Sequence, residues 1–143
     1  MIQYSTQVRV RYGEVDRMGF YYHSHYVELF DIGRTELMRN VGLTNFAIEA
    51  EGIELPVRKV DVDYRVPALY DDLLTVKTEL RQLPTATIRF DYTVFRNASG
   101  DETGEPQQIA TGFVLLAFMN RDTKKACRPP AFIIDAVKPY FEL

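Results

Sequence analysis

Cysteine is nearly absent from this sequence of 143 residues, which has a single one at position 127. One cysteine cannot form an internal disulfide, and such a composition is typical of proteins in the reducing cytoplasm. A long apolar run is also missing, because no segment approaches the roughly 20 apolar residues of a membrane-spanning helix. The sequence therefore predicts a cytoplasmic protein without a membrane span.

Charge of one sign is equally scarce. The formal net charge is −3, and neither acidic nor basic residues form a long run. Proteins that bind nucleic acids normally carry a basic face, so we expect no nucleic-acid partner. A small ligand that carries phosphates needs only a few local cations and stays compatible with this charge.

The composition that is present is that of a globular protein. Hydrophobic residues make up 46% of the chain and charged residues 26%, which is enough apolar surface for a real core. The length fits one domain and leaves little room for two. We therefore expect residues 1–143 to form a single domain.

Five segments are predicted as β-strands, four of them because they alternate apolar and polar residues, as half-buried strands do. They cover residues 7–12, 57–66, 74–80, 88–94 and 109–119. The last of these is apolar on both faces, which is typical of a central strand that is covered on both sides. A second, shorter helical piece is expected at 45–51, before the second strand.

A different period separates the first two strands. Apolar residues recur at three- and four-residue steps from about Ser24 to Val41, which predicts a helix of about 18 residues. Ser24 is the expected N-cap, and Gly42 stands where a left-handed residue ends a helix. Gly33 lowers helix propensity, so we expect another element to pack closely there.

This order of elements predicts a two-layer α+β domain. Consecutive strands with short links form an antiparallel sheet, and the single long helix covers one of its faces. The other face needs a partner wherever it is apolar. A homo-oligomer is therefore expected.

The loop before the helix contains the candidate chemistry. It has two acids, Glu14 and Asp16, and one of the two histidines, His23, while the other, His25, lies at the start of the helix. A helix N-terminus has N–H groups without partners and favours negative charge, so an N–H near His23 is a candidate donor to an oxyanion. A carboxylate upstream is a candidate base or nucleophile. From the residues alone, the more usual interpretation is that such acids are solvated or cap a turn.

Several other residues have a functional and a structural interpretation. Two histidines two positions apart resemble no common metal site, so we expect no metal and no cofactor. Arg58, Lys59 and Arg128 are candidate contacts to phosphates, or else solvated charges. A cluster of aromatic residues predicts either an acyl pocket or core packing. Its members are Tyr12, Phe20, Tyr21, Tyr22 and Tyr26.

The loop and helix resemble the signature of the 4-hydroxybenzoyl-CoA thioesterase family of hotdog proteins. They are most similar to the bacterial acyl-CoA thioesterases associated with the Tol–Pal cluster. The matching positions in the first block are Asp16, Gly19, Tyr22, His23 and Tyr26. The resemblance continues through 33–36, 57–60 and 71–73 and ends near Arg128, so it spans almost the whole chain.

The resemblance implies a hotdog fold, in which a five-stranded antiparallel sheet wraps around one long central helix. It also implies hydrolysis of an acyl-CoA thioester to a carboxylic acid and coenzyme A. Asp16 matches the catalytic carboxylate, as base or nucleophile, and the N–H of His23 matches the donor to the thioester carbonyl. Arg128 matches a cation that contacts the coenzyme A phosphates. Gly19, Tyr22 and Tyr26 match positions next to the substrate.

In this family the active site lies between subunits, which implies a dimer or a tetramer. The sequence departs from the family pattern at Glu14, which is usually aspartate, and at Arg17 and Met18, which replace small residues. Residues 84–86 lack the cations that some relatives use to hold the nucleotide. The acyl group and its anchoring therefore stay open, as do two other functions: hydrolysis of thioesters on acyl carrier protein, and non-catalytic binding of acyl-CoA or another metabolite.

Overall fold

In a computed structural model, which describes residues 1–142, a five-stranded antiparallel sheet forms the body of the fold. Its strands are β1 (Ile2–Arg9), β3 (Val57–Tyr64), β4 (Leu73–Leu80), β5 (Thr87–Asn97) and β6 (Gln107–Ala117). They lie in the order β1-β4-β5-β6-β3, so β1 and β3 are the two edges. This confirms the predicted antiparallel sheet and α+β class.

Helix α1 (His25–Asn40) covers one face of the sheet with the predicted apolar stripe. Leu29, Phe30 and Leu37 are at most 1% exposed, and Phe30 stacks on Tyr92 of β5 with ring centroids 4.2 Å apart. Gly33 is the point of closest approach, because a Cβ there would overlap Thr78 Oγ1 and lie 3.0 Å from Val76 Cγ1. The predicted close packing at Gly33 is therefore confirmed.

The outer face of the sheet is more polar than expected. Glu79 and Asp91 lie on it, each 8% exposed, and they pair with arginines rather than with an apolar partner. Arg81 contacts Glu79 at 3.3 Å, and Arg89 contacts Asp91 at 3.1 Å. The expected cover on the second face of β6 is incomplete within one chain, because Phe113 and Leu115 are only half-buried.

The two sheet edges differ in how the helix covers them. On β1 the inward residue Ile2 is 3% exposed, whereas on β3 the inward residues Val60 and Tyr64 are 36% and 48% exposed. Helix α1 therefore lies towards β1 and leaves the inner side of β3 open. Unpaired N–H and C=O groups along such an edge are a template for pairing with another strand.

Several predicted boundaries differ from the structure by one to three residues, and those of the first strand are wrong. The pattern predicts this strand at 7–12, but it runs from Ile2 to Arg9, and Tyr12 lies in a 3₁₀ turn, Tyr12–Glu14. Backbone bonds between Val10 and the 71–72 turn draw the chain off the sheet at that point. Helix α1 has 16 residues rather than 18, and Ser24 is its N-cap by position only, since its side chain makes no capping bond.

The remaining elements are short. Helix α2 (Asn45–Ala50) confirms the second helical piece, and α3 (Ala131–Val137) lies near the end of the described chain. Strands β2 (Ile53–Glu54) and β7 (Met119–Asn120) form a separate two-stranded sheet. Gly42 has φ +85°, as predicted for the residue that ends α1. Within residues 1–142, none of the helices has the length and apolarity to cross a bilayer.

Candidate active site

The loop between β1 and α1 folds as a small hairpin. Val15 and Tyr21 form an antiparallel bridge, and the N–H of Asp16 donates to the carbonyl of Phe20 at 2.9 Å. Gly19 closes the turn with φ +82°, a conformation that favours glycine. The motif glycine therefore sets the backbone of the turn that carries Asp16.

The carboxylate of Asp16 is held by this turn from one side. Its Oδ1 accepts the N–H of Met18 at 2.9 Å and the N–H of Phe20 at 3.2 Å. The other oxygen, Oδ2, accepts no hydrogen bond from the described part of the chain. The side chain is thus oriented by backbone donors, and one of its two oxygens stays available.

The start of α1 presents a free donor. The carbonyl of His23 accepts the hydroxyl of Tyr64 at 2.9 Å, which fixes the peptide that precedes the helix. Among the hydrogen bonds within residues 1–142, none is donated by the N–H of His23. This N–H belongs to an exposed residue next to a helix N-terminus and is suited to binding an oxygen that carries negative charge.

A cavity of about 300 Å³ joins these features. It brings together three predicted site residues, Asp16, His23 and Tyr26, from different parts of the segment. The rest of its lining is Met18, Phe20, Tyr21, Tyr64, Arg65, Val66 and Pro67. The residues that follow the end of β3 were missed by sequence reasoning, because they lie some forty positions beyond the motif and carry no local signature.

Other predicted site residues lie outside this cavity. The ring of Tyr22 is 44% exposed and lies against that of His23, with centroids 4.3 Å apart. Lys59 lies on the outer side of β3, with Nζ 5.5 Å from the ring centroid of Phe113. Arg128 is an exposed residue after β7. A single chain therefore brings neither proposed phosphate contact to Asp16.

Tyr12 also lies away from the predicted acyl pocket. Its side chain is 79% exposed and contacts Tyr70 edge-on, with ring centroids 5.5 Å apart. Of the five aromatic residues in the predicted cluster, Phe20, Tyr21 and Tyr26 line the cavity. Burial raises the pKa of the Tyr26 phenol, so this hydroxyl stays neutral at physiological pH and can donate a hydrogen bond.

A second cluster of ionisable groups lies beside the site. Ligand-type atoms of Glu14, His25 and Glu28 lie within 4.8 Å of one another. The Glu14 carboxylate already accepts the backbone N–H of Arg11 at 2.8 Å and its guanidinium at 3.3 Å. Burial favours a higher pKa for Glu14, but these hydrogen bonds and the Arg11 charge outweigh it and lower the pKa. The hydrogen bonds of the Glu14 carboxylate therefore stabilise the 3₁₀ turn at Tyr12–Glu14.

The fold and this loop correspond to a known class of protein. Residues 10–137 match the family model described as the thioesterase-like superfamily. The chain therefore belongs to this superfamily, and its sheet and central helix form a hotdog fold, as the resemblance implied.

The chain is similar in sequence to two proteins that are named as acyl-CoA thioesterases. The acyl-CoA thioesterase YbgC of Haemophilus influenzae is 37% identical over 95 residues, which cover 66% of this chain and 70% of that protein. The acyl-CoA thioester hydrolase YbgC of Escherichia coli is 36% identical over 83 residues. That alignment covers 58% of this chain and 62% of the Escherichia coli protein.

Similar solved structures cover more of the chain than these two sequence alignments do. A DHNA-CoA thioesterase from Staphylococcus aureus has a TM-score of 0.81 and 26% identity, with coverage of 100% of this chain and 97% of that one. The 4-hydroxybenzoyl-CoA thioesterase from Pseudomonas sp. strain CBS-3 has a TM-score of 0.84 at 21% identity, covering 95% and 99%. At that identity the second similarity shows the shared fold alone.

Proposed function

We propose that this protein hydrolyses an acyl-CoA thioester to a free carboxylic acid and coenzyme A. The observation that carries the proposal is the cavity lined by both Asp16 and His23, at the start of α1. Membership of the thioesterase-like superfamily and the acyl-CoA activities named for its relatives support the same reaction.

In the proposed reaction the thioester oxygen accepts a hydrogen bond from the N–H of His23. The helix N-terminus stabilises the negative charge that develops on this oxygen. Asp16 Oδ1 is occupied by two backbone donors, so Oδ2 is the reacting atom. Tyr26 and Phe20 supply apolar surface for the acyl group.

Two roles for Asp16 follow from this geometry. As a base, Oδ2 takes a proton from water, the hydroxide adds to the carbonyl carbon, the C–S bond breaks and the thiolate leaves as the thiol. As a nucleophile, Oδ2 adds to the carbonyl itself and expels the thiolate, and water then attacks Cγ of Asp16 in the mixed anhydride, which releases the carboxylic acid and restores the carboxylate. Turnover in ¹⁸O-water tests this route, because attack at Cγ leaves ¹⁸O in the peptide that contains Asp16, whereas the base route leaves it only in the acid.

The direct test supplies a panel of acyl-CoA thioesters and follows the release of free thiol. We expect Asp16→Asn to lower kcat at least about 100-fold, since it removes the base or nucleophile from a nearly isosteric side chain. Asp135→Asn, which changes an exposed acid on α3, is the matched control and should keep full activity.

Three results would contradict this proposal in different ways. Unchanged turnover in Asp16→Asn would remove Asp16 from the reaction. Tight binding of acyl-CoA without turnover would favour a binding module. Faster hydrolysis of the thioester on acyl carrier protein than on coenzyme A, with the same acyl chain, would show that acyl carrier protein is the preferred carrier.

Lys59 and Arg128 are the proposed contacts to the coenzyme A phosphates. Both are exposed, and both lie outside the Asp16 cavity of their own chain. A second copy of the chain would therefore have to supply them, or the nucleotide would have to reach across the surface. The same panel tests the role of the phosphates when it includes N-acetylcysteamine thioesters, which lack them and should show a raised KM.

A homodimer through β3 is part of the same proposal. The free edge of β3 exposes Val57, Val60 and Tyr64, by 52%, 36% and 48%. In an antiparallel self-pairing, the start of one β3 lies beside the end of the other, where Tyr64 and Arg65 line the cavity. A tetramer would need a further contact between such dimers.

The single free cysteine, Cys127, supports a location in the reducing cytoplasm.

A further inference from the structure

An ion pair between the buried Asp72 and the partly buried Arg96 lies next to the turn that contacts the Asp16 hairpin. Asp72 is 2% exposed, and its carboxylate accepts Arg96 Nε at 2.7 Å and Nη2 at 3.2 Å. It also accepts the N–H of Ser99 at 3.3 Å. Asp72 therefore ties the turn before β4 to the hairpin between β5 and β6.

The same carboxylate shapes the turn that contains it. The N–H of Leu69 donates to Asp72 Oδ2 at 2.8 Å, and the N–H of Asp72 donates back to the carbonyl of Leu69 at 3.1 Å. Between them, Asp71 has φ +69°, which is strained for a residue with a side chain. The strained turn persists because charged and backbone groups hold both of its ends.

This turn supports the hairpin that carries Asp16. Phe20 forms an antiparallel bridge with Leu69, and the N–H of Tyr21 donates to the carbonyl of Ala68 at 2.8 Å. The N–H of Phe20 in turn donates to Asp16 Oδ1. A continuous series of contacts thus runs from Arg96 through Asp72, Leu69 and Phe20 to the reacting carboxylate.

We propose that Asp72 and Arg96 are positioning residues, which set the orientation of Asp16 through the turn at Leu69. The inference rests on the proposed thioesterase function. A buried ion pair adds little net stability against apolar replacements, but its bidentate geometry fixes the two segments that it joins. A displacement of about 1 Å at a reacting group can lower a rate by about 100-fold, so such support matters for catalysis.

The kinetic test is Asp72→Asn, which keeps the side-chain shape but removes the charge and one acceptor. Measured below the melting temperature, kcat should fall by about 10- to 100-fold while KM changes less than about twofold. Arg96→Lys, which retains the charge but not the planar fork, should lose less activity than Arg96→Gln. If Asp72→Asn does not fold, the comparison of these two arginine variants tests the positioning role instead.

Asp91→Asn is the matched control. Asp91 is 8% exposed and accepts two hydrogen bonds from Arg89, but it lies on the outer face of β5, away from the Asp16 loop. This variant should lower the melting temperature and leave kcat unchanged. Equal kcat in Asp72→Asn and Asp91→Asn would overturn the positioning role.

Hydrogen exchange tests the same series of contacts without any activity. The amide protons of Phe20 and Met18, both donated to Asp16, should exchange at least about 10-fold faster in Asp72→Asn and at the parent rate in Asp91→Asn. Unchanged exchange in Asp72→Asn would overturn the inference. If the parent protein lacks turnover but Asp72→Asn accelerates exchange, the proposed function fails while the structural linkage stands.

Discussion

At the scale of single residues, Gly33 shows how closely α1 approaches the sheet. Gly33→Ala would drive a Cβ into Thr78 Oγ1, and overpacking of this kind costs about 1–3 kcal/mol. We expect a loss of that size in the free energy of unfolding, measured in urea. Thr78→Ala in the same chain should recover part of it, because it removes the atom in conflict.

The control for this prediction is a glycine with free space around it. A Cβ on Gly13 would meet nothing within 4 Å, so Gly13→Ala should change the free energy of unfolding by less than about 0.5 kcal/mol. Equal losses at Gly33 and Gly13 would show that the packing at the helix is looser than the structure indicates.

At the scale of elements, the turn Tyr12–Glu14 depends on one carboxylate. The pKa of Glu14 is lowered in the folded state, so its contribution to stability is present above its ordinary value of 4.5 and is lost as the pH falls through the lowered value. We expect Glu14→Gln to cost about 1 kcal/mol at pH 7 and progressively less as the pH falls below 4.5.

Chemical unfolding at several pH values measures this difference. Glu51→Gln, which changes an exposed acid at the end of α2, is the control and should show no such pH dependence. A constant difference between Glu14→Gln and the parent from pH 7 to pH 3 would mean that the Glu14 charge does not stabilise the turn.

The elements also show where sequence reasoning ends. The period of Leu29, Phe30 and Leu37 was sufficient to predict α1, because a helix contains its own pattern. Strand β1 was misplaced because the polar residue Thr6 interrupts the inward series of Ile2, Tyr4 and Val8. Its true partner is β4, far along the chain, and no local signal identifies that pairing.

Sequence reasoning also predicted only one part of the candidate site. Asp16, His23 and Tyr26 were predicted because the motif is local and resembles a known family. Tyr64 and the Asp72–Arg96 pair were not, since their contacts join residues 41 and 24 positions apart. Such contacts depend on strand order and register, which the alternation pattern alone does not determine.

At the scale of the whole molecule, the unequal edges of the sheet predict the assembly. We expect light scattering to give a particle that contains at least two chains of 16.5 kDa, about 33 kDa for the dimer. Val60→Lys should reduce the dimeric fraction, because it sets two charges against each other where β3 would pair with itself.

Ser5→Lys places a lysine at an exposed position of the opposite edge strand, β1, and should leave the mass unchanged. If Val60→Lys loses both the dimer and the release of thiol, the result would support a site shared between subunits. A monomeric parent protein, or an unchanged mass in Val60→Lys, would exclude the β3 interface.

The pairing of β1 with β4 has a consequence for biosynthesis. Ile2 pairs with Leu80 and Arg9 with Leu73, so β1 leaves the ribosome well before its partner and waits for the chain to reach β4. Contacts so distant in sequence form slowly, since a long loop must close first. The Asp16 hairpin waits longer, because Arg96 and Ser99 are translated later still. Nascent chains that pause before β4 therefore expose β1 and the apolar stripe of α1, and chaperones that bind apolar segments would act at that stage.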